Sequence, residues 1–300
     1  MRRRPVLLMG VTLAFSVSLA WAEPSPLHVL LTNDDGFEAA GLTAVRTALE
    51  QAGYMVTVVA PLRQQSGSGV RLTLGEIDVV DHGHRTWSVD GSPADSAAYG
   101  LSQVLAHRRP DVLVSGANLG QNLGANAVSS GTVGAAVMGA QLGVPAIAVS
   151  VGLDLAEAKL KPVAFPSSEA AYPLAGEFVA RVIARLAEQA EGGPLLPADT
   201  VLNINVPARP AQAIKGVRLV PLGRHGGFRM IYVERPGQAR ILSTMALDLA
   251  GQAELEADTG WFAKDYITVS VLRIDWNVLP ADNANLGARL GALETLRAPP

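Results

Sequence analysis

From His28 onward the chain alternates short apolar runs, rich in β-branched residues, with longer stretches of helical period, and few architectures accept that order. "HVLLTN" (28–33), "YMVTVVA" (54–60), "DVLVSG" (111–116) and "PAIAVS" (145–150) read as strands that are apolar on both faces. Residues 38–52, 93–107 and 131–142 carry helical patterns between them. A strand with no polar face must be covered on both sides. The alternation therefore predicts βαβ units and an α/β fold with a largely parallel, doubly wound sheet. "RLTLGEIDVV" and "TWSVDG" read as a hairpin pair, and "GSPAD" (91–95) as a helix start, with Ser92 at the N-cap and Asp95 closing a capping box.

Beyond residue 151 the pattern loosens. A helix fits 166–191, "EGGPLLPADT" makes a linker, and "VLNINVP" (201–207) is a strand. The segments 216–222, 228–233 and 266–274 read as strands without helices between them, which predicts an antiparallel C-terminal extension or arm that takes part in oligomer contacts. The expected division is a leader over 1–22 and a single domain over 23–300, with a core of about 28–207 and an extension of about 208–300.

The leader is read from Arg2, Arg3 and Arg4, the apolar stretch Val6 to Leu19, and the small-x-small pattern Ala20-Trp21-Ala22. The apolar stretch is shorter than the roughly 20 residues a membrane-spanning helix needs. These features predict a cleaved signal peptide, a mature chain starting near Glu23, a periplasmic location and no membrane attachment after cleavage. The absence of cysteine excludes disulfides, thiolate metal sites and a cysteine nucleophile. With 24 basic residues scattered among 27 acidic ones, a nucleic-acid polymer is not an expected partner. The cluster His107-Arg108-Arg109 lies just before Pro110, where basic groups suit the end of the helix read over 93–107.

Ligands of open α/β sheets bind at the carboxyl ends of the strands. The polar residues gather at those ends: Asn33-Asp34-Asp35-Gly36 after the first strand, "RQQSGSG" after the second, and Ala117-Asn118 with "LGQNLG" and "SSGTVG" after "DVLVSG". Asp34, Asp35, Ser66 and Asn118 offer only hard oxygen donors, which suit Mg2+, Mn2+ or Ca2+ better than zinc. A cation there would offset the repulsion between the adjacent carboxylates. Gly131 opens a helix whose positive end, with Ser129, Ser130 and Thr132 beside it, suits an anion. Taken singly, each feature has a plainer reading: the aspartates as a cap for helix 38–52, "SSGTVG" as an N-cap, His225 in "GRHGG" as a solvated loop residue. Their convergence on one rim points to metal-assisted phosphate chemistry.

"LLTNDDG", "APLRQQSGSG", "GSPADSAAYG", "PDVLVSGANLGQNLG", "SSGTVGAA" and "LNINVP", in this order, resemble the SurE family of 5′/3′-nucleotidases over about residues 28–207. The resemblance implies a Rossmann-like α/β core, a C-terminal arm used in a homodimer or homotetramer, and phosphomonoester hydrolysis of nucleoside monophosphates. It implies one divalent metal ion per subunit, Mg2+ or Mn2+ foremost, on Asp34, Asp35, Ser66 and Asn118, with Asp34 and Asp35 as catalytic residues. It also places Asn122, Ser130, Gly131 and Thr132 around the phosphate. The chain departs from the family pattern at "FEAAGL" after NDDG, where a proline is common, and at Val70-Arg71 after SGSG. A periplasmic protein that binds nucleotides without turnover is the alternative reading of the same residues.

Overall fold

The computed structural model describes residues 26–160, 163–237, 241–247, 254–275 and 277; the leader expected over 1–22 lies outside them. In the N-terminal half, β1 (His28–Thr32) leads through α1 (Ala40–Gln51) to β2 (Met55–Pro61). A hairpin of β3 (Val79–Asp81) and β4 (Thr86–Val89) follows, then α2 (Pro93–Tyr99), β5 (Val112–Leu119), α3 (Gly131–Gln141) and β6 (Ala146–Val151). The long α4 (Pro166–Gln189) leads to β7 (Thr200–Val206) and β8 (Val217–Leu219). The C-terminal part adds β9 (Phe228–Val233), β10 (Leu242–Leu247), the short α5 (Asp258–Phe262) and β11 (Ile267–Arg273).

Among the described residues nine strands make one sheet in the order β3-β4-β2-β1-β5-β6-β7-β11-β8. β1 pairs in parallel with both β2 and β5, so the chain winds outward in two opposite directions from β1. Side chains alternate along β1: Val29 and Leu31 pack with Val45 and Leu49 of α1 and Val179 and Ile183 of α4. Leu30 points the other way, onto Ala97 of α2 and Ala135 and Met138 of α3. All three β1 residues are fully buried, which is why the strand reads as a continuous apolar run. Among the described residues no helix is long and apolar enough to cross a membrane.

The helix start at "GSPAD" is as the sequence predicts. Asp95 N–H donates to Ser92 Oγ at 3.0 Å, and Ser92 N–H donates to Asp95 Oδ2 at 2.8 Å. The same carboxylate accepts from Thr73 N–H at 2.9 Å and Thr73 Oγ1 at 2.7 Å. Burial alone would raise the Asp95 carboxyl, but these bonds outweigh it and hold it below its ordinary value.

Thr73 also explains one departure from expectation. Its N–H, which a ladder would use, is spent on Asp95, and the strand foreseen from residue 71 is regular only over Val79–Asp81. The helix foreseen to residue 107 passes after Tyr99 into a π-turn, Gly100–Val104, with Leu105 N–H donating to Gly100 O at 2.9 Å. Arg109 then donates to the carbonyl of Leu142, so this member of the basic cluster serves the end of α3 rather than its own helix.

The extension divides in two. β11 runs antiparallel to β7 and parallel to β8, so both strands continue the main sheet past residue 207. Among the described residues only β9 and β10 stand apart, as an antiparallel pair. β10 was not foreseen, because "LSTMAL" mixes strand formers with the strong helix formers Leu, Met and Ala.

Candidate active site

The carboxyl ends of β1 and β5 flank the point where the winding reverses, which is where open α/β sheets form a crevice. Asn33 is fully buried and its Nδ2 donates to Gly36 O at 2.8 Å, which closes a tight turn around the two aspartates. Gln65 N–H donates to Asp34 O at 2.7 Å and ties that turn to the loop after β2. Asp34 is only 2% exposed, and Thr132 Oγ1 donates to its Oδ1 at 2.6 Å. Asp35 is half-buried, and Leu119 N–H donates to its Oδ2 at 2.9 Å.

Neither carboxylate forms an ion pair among the described residues. Burial, and then the charge of Asp35, push the Asp34 carboxyl up to about 7. Burial raises Asp35 as well, against the Leu119 and Gln64 bonds. The helix-cap reading of the pair fails: α1 has Ala39 at its N-cap with no side-chain cap bond, and both carboxylates engage other elements.

Asp34, Ser66, Asn118, Asn122 and Ser130 line one cavity of about 190 Å3, which Arg229 of β9 also lines. The Asn118 Nδ2 donates to Gly120 O at 2.6 Å, which leaves its Oδ1 as the acceptor for a ligand. Ser66 is exposed in the loop after β2. Asp35, Gly131 and Thr132 do not line the cavity but adjoin it. Thr132 acts on Asp34, Asp35 on Leu119, and a Cβ on Gly131 would lie 3.0 Å from Asp34 Oδ2 and 2.6 Å from Ser68 Oγ. The Ser68 Oγ and Asn33 Oδ1 atoms are buried without a protein partner. Ser130 Oγ accepts from Val133 N–H at 3.1 Å and so caps α3. An anion at this point would meet the first N–H groups of the helix, at Gly131 and Thr132, which intrahelical bonding leaves open, together with the Ser130 hydroxyl proton, which the cap bond does not use.

The sequence reading missed the residues that hold Asn122. Its N–H donates to Asn205 Oδ1 at 2.7 Å, and its carbonyl accepts from Asn203 Nδ2 at 2.8 Å and Asn205 Nδ2 at 3.2 Å. Its own Nδ2 donates to Ser150 Oγ at 2.8 Å and Thr132 Oγ1 at 3.3 Å. A chain of hydrogen bonds thus runs from β7 through Asn122 and Thr132 to Asp34. The available signal was two asparagines spaced by one residue in the otherwise apolar "VLNINV" of β7, a polar face in a fully buried strand.

Comparison with known proteins points to one family. The profile of the family described as "Survival protein SurE" matches residues 29–227. A "5′-nucleotidase SurE" from Symbiobacterium thermophilum is 42% identical over 203 residues, 65% of this chain and 72% of that protein. One from Carboxydothermus hydrogenoformans is 38% identical over 204 residues, 66% of this chain and 71% of that protein. The crystal structure of a SurE protein from Aquifex aeolicus superposes with a TM-score of 0.67 at 29% identity, covering 89% of this chain and 99% of that one.

Proposed function

This chain belongs to the SurE family, and on that premise we propose that it is a 5′-nucleotidase, hydrolysing nucleoside monophosphates to nucleoside and phosphate with one divalent cation, Mg2+ or Mn2+. The observation that carries this reading is the Asp34–Asp35 pair at a strand end, Asp34 buried and Asp35 half-buried, neither of them in an ion pair among the described residues. The donor set fits a hard cation: two carboxylates, the Asn118 Oδ1 left over by its Gly120 bond, and the exposed Ser66 hydroxyl. Among the described residues no three His, Cys, Asp or Glu side chains cluster, so neutral oxygens have to complete any such set.

Asp34, Asp35, Ser66 and Asn118 would hold the cation. Bound there, it would polarise a phosphoryl oxygen and make a water more acidic. The protein's own groups supply the rest. Thr132 fixes the Asp34 carboxylate, and Leu119 N–H fixes that of Asp35. Asn122, clamped between β7 and Ser150, presents its loop to the phosphate, while the positive end of α3 stabilises charge developing on the phosphoryl oxygens. Such fixed dipoles need no reorganisation during the reaction, which is what makes them effective.

A protein that binds nucleotides without turnover would gain nothing from two carboxylates beside a phosphate. Hydrolysis of adenosine 5′-monophosphate is expected with Mn2+, to stop on chelation and to return when Mn2+ is restored. Tight nucleotide binding with no phosphate released under any metal would establish the binding-only reading instead.

The same reading extends to assembly as a homodimer or homotetramer through the β9–β10 pair. It is supported by the outward Met230, Tyr232 and Val233, which are 52%, 65% and 44% exposed, because a lone two-stranded ribbon is marginal in water. Light scattering at micromolar concentration is expected to give at least twice the chain mass. A monomer mass would remove this part of the proposal.

A further inference from the structure

Beside the carboxylate cavity lies a larger one, of about 320 Å3, at the carboxyl ends of β6 and β7. Gln121 and Leu153 line both, so the two cavities are neighbouring stretches of one rim. Gln121 is held in place: its Oε1 accepts from Leu153 N–H at 2.9 Å, which leaves the Nε2 hydrogens as donors. Phe262 of α5 forms an apolar wall. A Cβ on Gly152 would lie 2.7 Å from its ring, so glycine at the end of β6 is what admits the aromatic ring.

On the polar side, Arg209 Nη1 donates to Asp154 Oδ2 at 3.2 Å and its Nε to Asp265 Oδ1 at 3.2 Å. Lys215 Nζ reaches Asp265 Oδ2 at 3.4 Å. The two cations are thus matched by two carboxylates. Resting on the phosphomonoesterase reading above, we propose that this second cavity receives the nucleoside moiety of the substrate, while the phosphate occupies the Asp34–Asn122 cavity beside it.

Size, charge and chemistry agree. The volume lies at the lower end of the roughly 300–1,000 Å3 of small-molecule pockets. A nucleoside is uncharged, and the cavity's charges are already paired. Asp154 and Asp265, paired with Arg209 and Lys215, leave no charge that an uncharged nucleoside would have to match. A planar base stacks on an aromatic ring or a guanidinium held flat by its partners, and Phe262 and Arg209 provide one of each. Gln121 Nε2 and the remaining carboxylate lone pairs suit ribose hydroxyls and base amino groups.

The test uses the full-length protein and two variants that leave the carboxylate cavity intact. Phe262→Ala removes the apolar wall, and Ala263→Phe fills the cavity from the exposed end of α5. Calorimetric adenosine binding, with and without Mn2+, is expected to weaken roughly tenfold in Phe262→Ala, the loss of one base–aromatic contact, and by at least as much in Ala263→Phe, where the ring takes the space of the base. The kcat/KM for adenosine 5′-monophosphate is expected to fall by a similar factor, while that for glycerol 2-phosphate stays within about twofold. Equal losses for both substrates, or unchanged adenosine binding, would overturn the subsite. A wild-type protein that hydrolyses both substrates equally and does not bind adenosine overturns the subsite but leaves the phosphatase reading standing. One that hydrolyses neither ends the phosphatase reading, and adenosine binding alone then decides the cavity.

Discussion

Asp34→Asn and Asp35→Asn proteins are expected to lose nucleoside-monophosphate hydrolysis by more than about 100-fold, the upper figure for residues that merely support a metal ligand. Asparagine keeps the shape and much of the hydrogen bonding but removes a charge the cation needs. Stability moves the other way for Asp34 in metal-free protein. Its folded carboxyl titrates near 7 against an ordinary 3.8, so the folded state holds a proton that the unfolded chain has released. Metal-free stability should therefore fall as pH rises from about 4 to about 7 and level off above that, by a few kcal/mol at most. Asp34→Asn should lack this slope and melt higher than wild type at pH 8 without metal. Adding Mn2+ should reverse the order, because only the wild type gains binding energy. Urea or thermal melts across pH, with and without Mn2+, measure this directly. Near-normal turnover in either variant would remove the metal mechanism.

Gly131→Ala should be almost as damaging, by another route. The added methyl leaves the first N–H groups of α3 in place, and alanine is the better helix former. Yet it would lie 2.9 Å from Asp34 Cβ and 2.6 Å from Ser68 Oγ, and the carboxylate must give way. Misplacing a catalytic group by about an ångström costs on the order of 100-fold. We expect a loss of that size with the melting temperature within a few degrees of wild type. Wild-type turnover would show that the carboxylate has room to move and that its position is not critical.

How much of this was legible in the sequence depended on whether a residue's job was local. The parallel core was legible because strands buried on both faces leave a continuous apolar signature, as Val29–Leu31 do. Asp34 and Asp35 stood out because charges at the end of such a run are conspicuous, and Ser92 and Asp95 because a capping box is spelled within a few residues. Arg109 was misassigned because its carbonyl partner, Leu142, is remote in sequence. Ser130 keeps both of its readings: its oxygen caps α3 by accepting from Val133 N–H, and its hydroxyl proton is left to donate to an anion. Asn203 and Asn205 escaped because their partner, Asn122, lies more than eighty positions away.

Those two asparagines have a consequence for how the sheet assembles. β7 sits between β6 and β11, with Asn205 opposite Ser150 on one side and Thr268 on the other. A one-residue slip of a strand turns every side chain to the other face. In a purely aliphatic strand a slip exchanges one apolar side chain for another, so the loss is one of packing alone. In β7 it would drive both amides among the aliphatic side chains of the opposite layer and strip Asn122 of its partners, at about 1–3 kcal/mol for each orphaned group. The polar seam that steadies the phosphate loop therefore also works as a key: only one alignment of β7 turns it, and misaligned sheets are rejected before a site exists to be used.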